Sequence, residues 1–124
     1  EYFAKHAASV RARAGALEVF NHFAGKGFLQ AAVSSGTRQG INASLSAIKV
    51  LDRLVFTIAE GDTEKSKPDP EPYNVAYDRM AAHMQSQGQT PPPKSACLVI
   101  EDSKGGAQAG GASAIPTIFW KASS

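Results

Sequence analysis

The feature that most constrains the fold of this chain is the alternation of short apolar runs with segments of helical periodicity. Apolar residues recur at helical spacing over 16–24, 37–48 and 73–85, and a glycine-weakened helix is predicted over 104–114. The apolar runs are Phe28–Val33, Leu54–Ile58, Ala96–Ile100 and Ile115–Trp120, and the second of them is rich in β-branched and aromatic residues. This order predicts an α/β fold whose parallel strands are covered by helices on both faces.

Length and composition limit the classes of partner. The 124 residues suffice for one domain, and the net charge of +2 comes from scattered basic residues, which argues against a nucleic-acid partner. No apolar stretch is long enough for a membrane span, and no signal peptide is recognisable. The single cysteine, Cys97, lies in an apolar run and excludes an internal disulfide. We therefore expect no membrane contact, a reducing compartment and a cytoplasmic location.

The residues that follow each predicted strand suggest a ligand site. Ligands of open parallel sheets bind beyond the carboxyl ends of the strands. Ser34 and Ser35 follow the first strand, Lys67 lies in the polar loop after the second, and Glu101 and Asp102 follow the third. Hydroxyl groups and a lysine suit a phosphate group, and adjacent carboxylates suit Mg²⁺. Together, these residues predict one rim that binds a phosphate and a divalent cation.

Each of these residues also has a simpler structural interpretation. The Ser34–Ser35 pair could cap the helix that starts near Thr37. Lys67 could be an ordinary loop lysine. The carboxylates at 101 and 102 could cap the following helix and favour its dipole. The occurrence of all three features at successive strand ends favours the site over three unrelated coincidences.

The motifs around these residues resemble those of the haloacid dehalogenase (HAD) superfamily, in its β-phosphoglucomutase-like branch. Ala32-Val33-Ser34-Ser35-Gly36 is similar to the second motif, Lys67-Pro68-Asp69-Pro70-Glu71-Pro72-Tyr73 to the third, and Val99-Ile100-Glu101-Asp102-Ser103 to the fourth. The resemblance covers about residues 10–120. It implies a three-layer, Rossmann-like HAD core, with residues 1–13 as a residual helix leading from the cap and 14–124 as a partial core domain.

The resemblance also implies roles for single residues. Ser34 and the backbone N–H of Ser35 would bind the phosphoryl oxygens of the substrate. Lys67 would neutralise the charge of the phosphoryl group and of the nucleophile. Asp102 would hold Mg²⁺ directly or through water, and Glu101 would assist it. The implied function is Mg²⁺-dependent phosphoryl transfer from a small phosphorylated metabolite, as a phosphatase or a phosphomutase.

One part of the family pattern is absent. The first HAD motif is an Asp-x-Asp sequence after an apolar strand, and none of the eleven carboxylates of this sequence fits it. We therefore expect no nucleophile in this chain and no turnover by the chain alone. The alternative is a non-catalytic structural or interaction subunit that retains the fold.

The strand that precedes this motif is expected to be absent as well. By resemblance, that strand would lie between the strands ending at Val33 and Ile100, so removing it predicts a gap in the sheet. We expect that the two neighbours pair directly, that another chain fills the gap, or that an upstream segment belongs there. A smaller departure is Ala114, which stands where the family usually has glycine.

Overall fold

The structure, a computed structural model, describes residues 2–5, 7–8, 16–101 and 104–119. The helices are α1 (Ala16–Gly25), α2 (Arg38–Ala47), α3 (Glu71–Ser86) and α4 (Lys104–Ala112). The strands are β1 (Tyr2–Lys5), β2 (Ala7–Ala8), β3 (Leu29–Gln30), β4 (Ala32–Val33), β5 (Thr57–Ile58), β6 (Cys97–Glu101) and β7 (Thr117–Phe119). Helices and strands alternate as predicted from residue 16 onward, with small differences in their bounds.

The strands after α1 pair in parallel, as predicted. β4 runs parallel to β5, and β6 runs parallel to β7. The predicted strand over 28–33 is divided at Ala31, but backbone hydrogen bonds continue the pairing beyond the short strands. The Val55 N–H donates to the Gln30 carbonyl at 2.8 Å, and the Ser34 N–H donates to the Ile58 carbonyl at 2.9 Å. The α/β class with a parallel sheet is confirmed.

Buried side chains divide into two clusters, one on each face of the strands. Successive residues of a strand point to opposite faces, and the structure follows this alternation. Val33 and Val99 pack with the buried residues of α3 and α4. Ala32 and Ile100 pack with the buried residues of α1 and α2. The resulting order of helices, strands and helices is the predicted three-layer arrangement.

The N-terminal residues differ from the sequence prediction. A helix was predicted over 1–13, but Tyr2–Lys5 is a strand antiparallel to β6, and Ala7–Ala8 is a strand parallel to β3. The helix prediction is wrong for these residues. Positions 1, 6 and 9–13 of the same segment lie outside the described residues, and the division into a cap remnant and a core remains a prediction.

This pairing places N-terminal residues of the same chain at the predicted gap in the sheet. Among the described strands β4 does not pair with β6; β1 pairs with β6 and also contacts β3 and β4. The N–H and C=O groups on that edge of β6 need partners when buried, and the N-terminal residues of the same chain supply them. None of the predicted outcomes included this arrangement. Across the described part of the chain, no helix combines the length and apolar character required to cross a membrane.

Candidate phosphate-binding site

The long polar loop between β5 and α3 is held by side chains of the loop and of the neighbouring helices. The Glu71 carboxylate accepts a hydrogen bond from the Glu64 backbone N–H at 2.7 Å. The Asp62 carboxylate accepts one from the Ala59 N–H at 2.8 Å and pairs with the Arg38 guanidinium. These two carboxylates therefore tie the loop backbone to α3 and the loop itself to α2.

Lys67 leaves this loop and points its amine inward. Its side chain is only 5 % exposed, and Nζ lies 3.1 Å from the Val33 carbonyl oxygen and 3.3 Å from Oε2 of Glu101. The amine therefore joins the ends of β4 and β6. An ordinary loop lysine extends its amine into solvent. The amine of Lys67 is instead buried between two strands, so that interpretation is wrong.

Glu101 is fully buried, and its Oε2 atom accepts hydrogen bonds from the Tyr73 hydroxyl and from Lys67. Burial alone raises the pKa of Glu101. Positive charge, that of Lys67 first, together with the hydrogen bonds from Tyr73 and Lys67, outweighs that effect and holds the pKa of Glu101 below its ordinary value. The side chain is therefore a carboxylate at neutral pH, and its described partners are Lys67 and Tyr73.

Close packing by α4 completes the surroundings of Glu101. A Cβ atom added at Gly106 would lie 1.9 Å from Cδ and from Oε2 of Glu101, and one at Gly110 would lie 2.4 Å from Oγ1 of Thr117. Real Cβ atoms do not approach other atoms so closely, so these two positions require glycine. The glycines that weaken the predicted helix thus let it approach β6 and β7.

Ser34 and Ser35 lie directly beyond β4, where Ser34 is half-buried and Ser35 is exposed. The Ser34 hydroxyl accepts a hydrogen bond from the Gly36 N–H at 3.0 Å, so its proton can still be donated to a ligand. Helix α2 is capped by Thr37, whose hydroxyl accepts from the Gly40 N–H at 3.0 Å. The interpretation of the two serines as the cap of this helix is therefore wrong.

A cavity of about 260 Å³ opens beside the two serines. Its lining includes Ser34 and Ser35 on one side and Glu60, Thr63, Glu64 and Ser66 of the polar loop on the other. Apolar groups, among them Ile58 and Pro72, complete the lining, so the cavity is of mixed character. It gives a ligand access to the end of β4.

The predicted magnesium ligands are only partly placed. Asp102 and Ser103 lie outside the described residues. Within the described ranges no group of three or more His, Cys, Asp or Glu side chains could hold a metal ion. Glu101 is fully buried, and its Oε2 atom accepts hydrogen bonds from Lys67 and Tyr73. The described residues alone therefore do not form a magnesium site.

Tyr73 is the residue of this site whose role the sequence did not reveal. It was recognised only as part of the third motif, yet it is fully buried and donates to Glu101. A signal exists in principle, because a tyrosine in an otherwise apolar helix face needs a partner for its hydroxyl. The sequence does not show which buried acceptor that partner is.

Comparison with known proteins identifies the family of this chain. The model of the haloacid dehalogenase-like hydrolase family matches residues 1–120. The chain belongs to this family. A search of curated proteins finds no match for this HAD-like chain.

Solved structures give the same fold. A protein classed as a β-phosphoglucomutase from Thermotoga maritima is 20% identical, with a TM-score of 0.68 over 83% of this chain and 43% of its own. A protein classed as a phosphoglycolate phosphatase from Haemophilus somnus is 14% identical, with a TM-score of 0.69 over 85% of this chain and 42% of its own.

A third relative was solved with a metal ion. It is classed as a HAD-hydrolase from Bacillus subtilis and is described as bound to magnesium; it is 19% identical, with a TM-score of 0.66 over 85% of this chain and 43% of its own. The HAD-like chain thus spans less than half the length of each of these three proteins. At these identities, the likeness establishes the fold.

Proposed function

We propose that this chain supplies the phosphate-binding groups of an enzyme that carries out Mg²⁺-dependent phosphoryl transfer on a small phosphorylated metabolite, as a phosphatase or phosphomutase. The observation that carries the proposal is the position of Lys67. Its amine is buried 3.1 Å from the carbonyl of Val33, the residue that precedes Ser34, and 3.3 Å from the carboxylate of Glu101. A fixed positive charge beside a serine at strand ends suits a phosphate dianion.

The chemistry assigned to the described groups is positioning and charge neutralisation. The Ser34 hydroxyl would donate a hydrogen bond to a phosphoryl oxygen. Among the described residues no acceptor bonds the Ser35 backbone N–H, which makes it a second donor for the same group. Lys67 would neutralise charge that spreads over the phosphoryl oxygens during transfer. Donors held rigidly before the reaction stabilise such charge more than mobile ones do.

Two parts of the proposal depend on groups beyond these. A bound Mg²⁺ would add further neutralisation of the phosphoryl charge, and Asp102, with Glu101 assisting, is the residue proposed to hold it. The covalent step of the family requires an aspartate in an Asp-x-Asp motif, which the sequence lacks. We therefore propose that the chain alone has no turnover, and that the nucleophile comes from a segment outside these 124 residues or from another chain.

The test is the binding of inorganic phosphate, measured by isothermal titration calorimetry with and without MgCl₂. Lys67→Met should weaken binding roughly 10- to 100-fold, the range for a lost hydrogen bond to a charged group. Lys94→Met is the matched control, since Lys94 Nζ also makes two hydrogen bonds, to Asn74 at 2.8 Å and to the Ser113 carbonyl at 3.0 Å, away from the serines. Equal phosphate affinity in both variants would refute the proposed site.

A structural or interaction subunit is the second candidate, and the absence of the Asp-x-Asp motif favours it. The two functions differ in their response to ligands, because a protein that binds a ligand is stabilised by it. If phosphate with MgCl₂ raises the melting temperature of the chain and Ser34→Ala abolishes the rise, the phosphoryl-transfer site is supported. A melting temperature that neither ligand changes would favour the subunit.

A further inference from the structure

The hydroxyl and the ring of Tyr73 contact both members of the Lys67–Glu101 pair. The hydroxyl donates to Oε2 of Glu101, the same oxygen that Lys67 approaches at 3.3 Å. The ring lies under the Lys67 amine, with Nζ 5.4 Å from its centroid. A cation over an aromatic face is attracted by the ring's quadrupole. One side chain from the first turns of α3 therefore orients a carboxylate and supports an ammonium group.

These contacts define the position of the Lys67 side chain, which would otherwise be flexible. A lysine amine on a four-carbon stem can occupy many positions. Here it meets the Val33 carbonyl of β4, the Glu101 carboxylate of β6 and the Tyr73 ring of α3. The first two contacts are made by residues of strands, and the third is made by a fully buried ring. Glu101 is in turn fixed by the Tyr73 hydroxyl and by α4, which leaves no room at Gly106 for a Cβ atom.

We infer that Tyr73 is a positioning residue of the phosphate site: by holding Glu101 and supporting the Lys67 amine, it fixes that amine beside Ser34. The inference rests on the proposed phosphate site and names a further residue on which that site depends. Tyr73 itself does not touch the phosphate. Its removal therefore reduces phosphate affinity only through Lys67, which separates its effect from a direct loss of a ligand contact.

The variant Tyr73→Phe tests the inference because it removes the hydroxyl and keeps the ring in its buried space. We expect phosphate affinity to fall by up to about tenfold, because the hydrogen bond lost is to Glu101 and its energy sets the upper limit of the indirect effect. Tyr77→Phe is the matched control: it lies on the same helix, and its hydroxyl donates to the Pro92 carbonyl at 2.6 Å, remote from Glu101. It should lose stability without losing phosphate affinity.

A double variant separates positioning from simple destabilisation. If Tyr73 acts through Lys67, adding Tyr73→Phe to Lys67→Met should weaken phosphate binding no further. Full additivity, or an affinity of Tyr73→Phe equal to that of Tyr77→Phe, would overturn the inference. If the unsubstituted chain binds no phosphate, the proposed function fails with it; if Lys67→Met weakens binding and Tyr73→Phe does not, only the inference about Tyr73 fails.

A second measurement does not depend on the folding of any variant. In the unsubstituted chain, proton NMR should show cross-relaxation between the ε-methylene protons of Lys67 and the ring protons of Tyr73, because the ring lies under the amine. The ring should also shift those methylene signals upfield. The absence of both effects would contradict the arrangement and overturn the inference.

Discussion

Substitution of Gly106 by alanine should disrupt the site more than any other change of a single methyl group in α4. The added Cβ would lie 1.9 Å from Cδ and Oε2 of Glu101. That carboxylate cannot turn away without giving up Lys67 and Tyr73, its partners in a fully buried position. Breaking a buried ion pair costs roughly 3–5 kcal/mol. The better helix propensity of alanine offsets about 1 kcal/mol, so the net loss should be about 2–4 kcal/mol.

The same helix provides a control for this substitution. A Cβ atom at Gly111 would meet no atom within 4 Å, so Gly111→Ala should change only helix propensity. It should stabilise the chain by up to about 1 kcal/mol. The assay is urea unfolding followed by circular dichroism, with the free energy of unfolding compared at a common slope. If Gly106→Ala unfolds at the same urea concentration as Gly111→Ala, the assigned contact between α4 and Glu101 is wrong.

Three further outcomes follow from single side chains. Ala114 has a φ angle of +66°, a left-handed conformation that favours glycine, so Ala114→Gly should raise the free energy of unfolding by up to about 1 kcal/mol in the same urea assay. The pKa of Glu101 is lowered from 4.5, so its carboxylate stabilises the fold above that pH, and the stabilisation is lost as pH falls through the lowered pKa. In Glu101→Gln the free energy of unfolding should therefore fall less steeply as the pH is lowered. Burial raises the pKa of Cys97 to about 11, so the folded chain should react with iodoacetamide at pH 8 far more slowly than the chain in urea, and equal rates would contradict the assigned burial.

Much of this fold could be predicted because its signals are local. Apolar runs and helical periodicity located the four α-helices of the described residues and the strands after α1, and the rule for parallel sheets placed Ser34, Lys67 and Glu101 at one edge. The bounds were less exact where a run was irregular, as at Ala31, where the backbone leaves the ladder between β3 and β4. The N-terminal strands could not be predicted in this way, because β1 forms through pairing with β6, whose edge needs a partner.

In the site too, local features could be predicted and three-dimensional contacts could not. Its charged residues were identifiable from motif and position, but their partners were not. The prediction that Glu101 assists a metal ion did not reveal that its described hydrogen bonds come from Lys67 and Tyr73. The dependence of Glu101 on Gly106 is equally invisible in the sequence, since it arises from the approach of α4 to β6 in three dimensions.

The account depends most directly on where phosphate binds. An amide NMR titration of the ¹⁵N-labelled chain with inorganic phosphate would locate that position residue by residue. We expect saturable shifts of the backbone amides of Ser34, Ser35 and Lys67, and we expect the amides around Lys94 to remain unchanged. Saturable shifts confined to residues away from the ends of β4 and β6, or no saturable shift at millimolar phosphate, would contradict the proposed site.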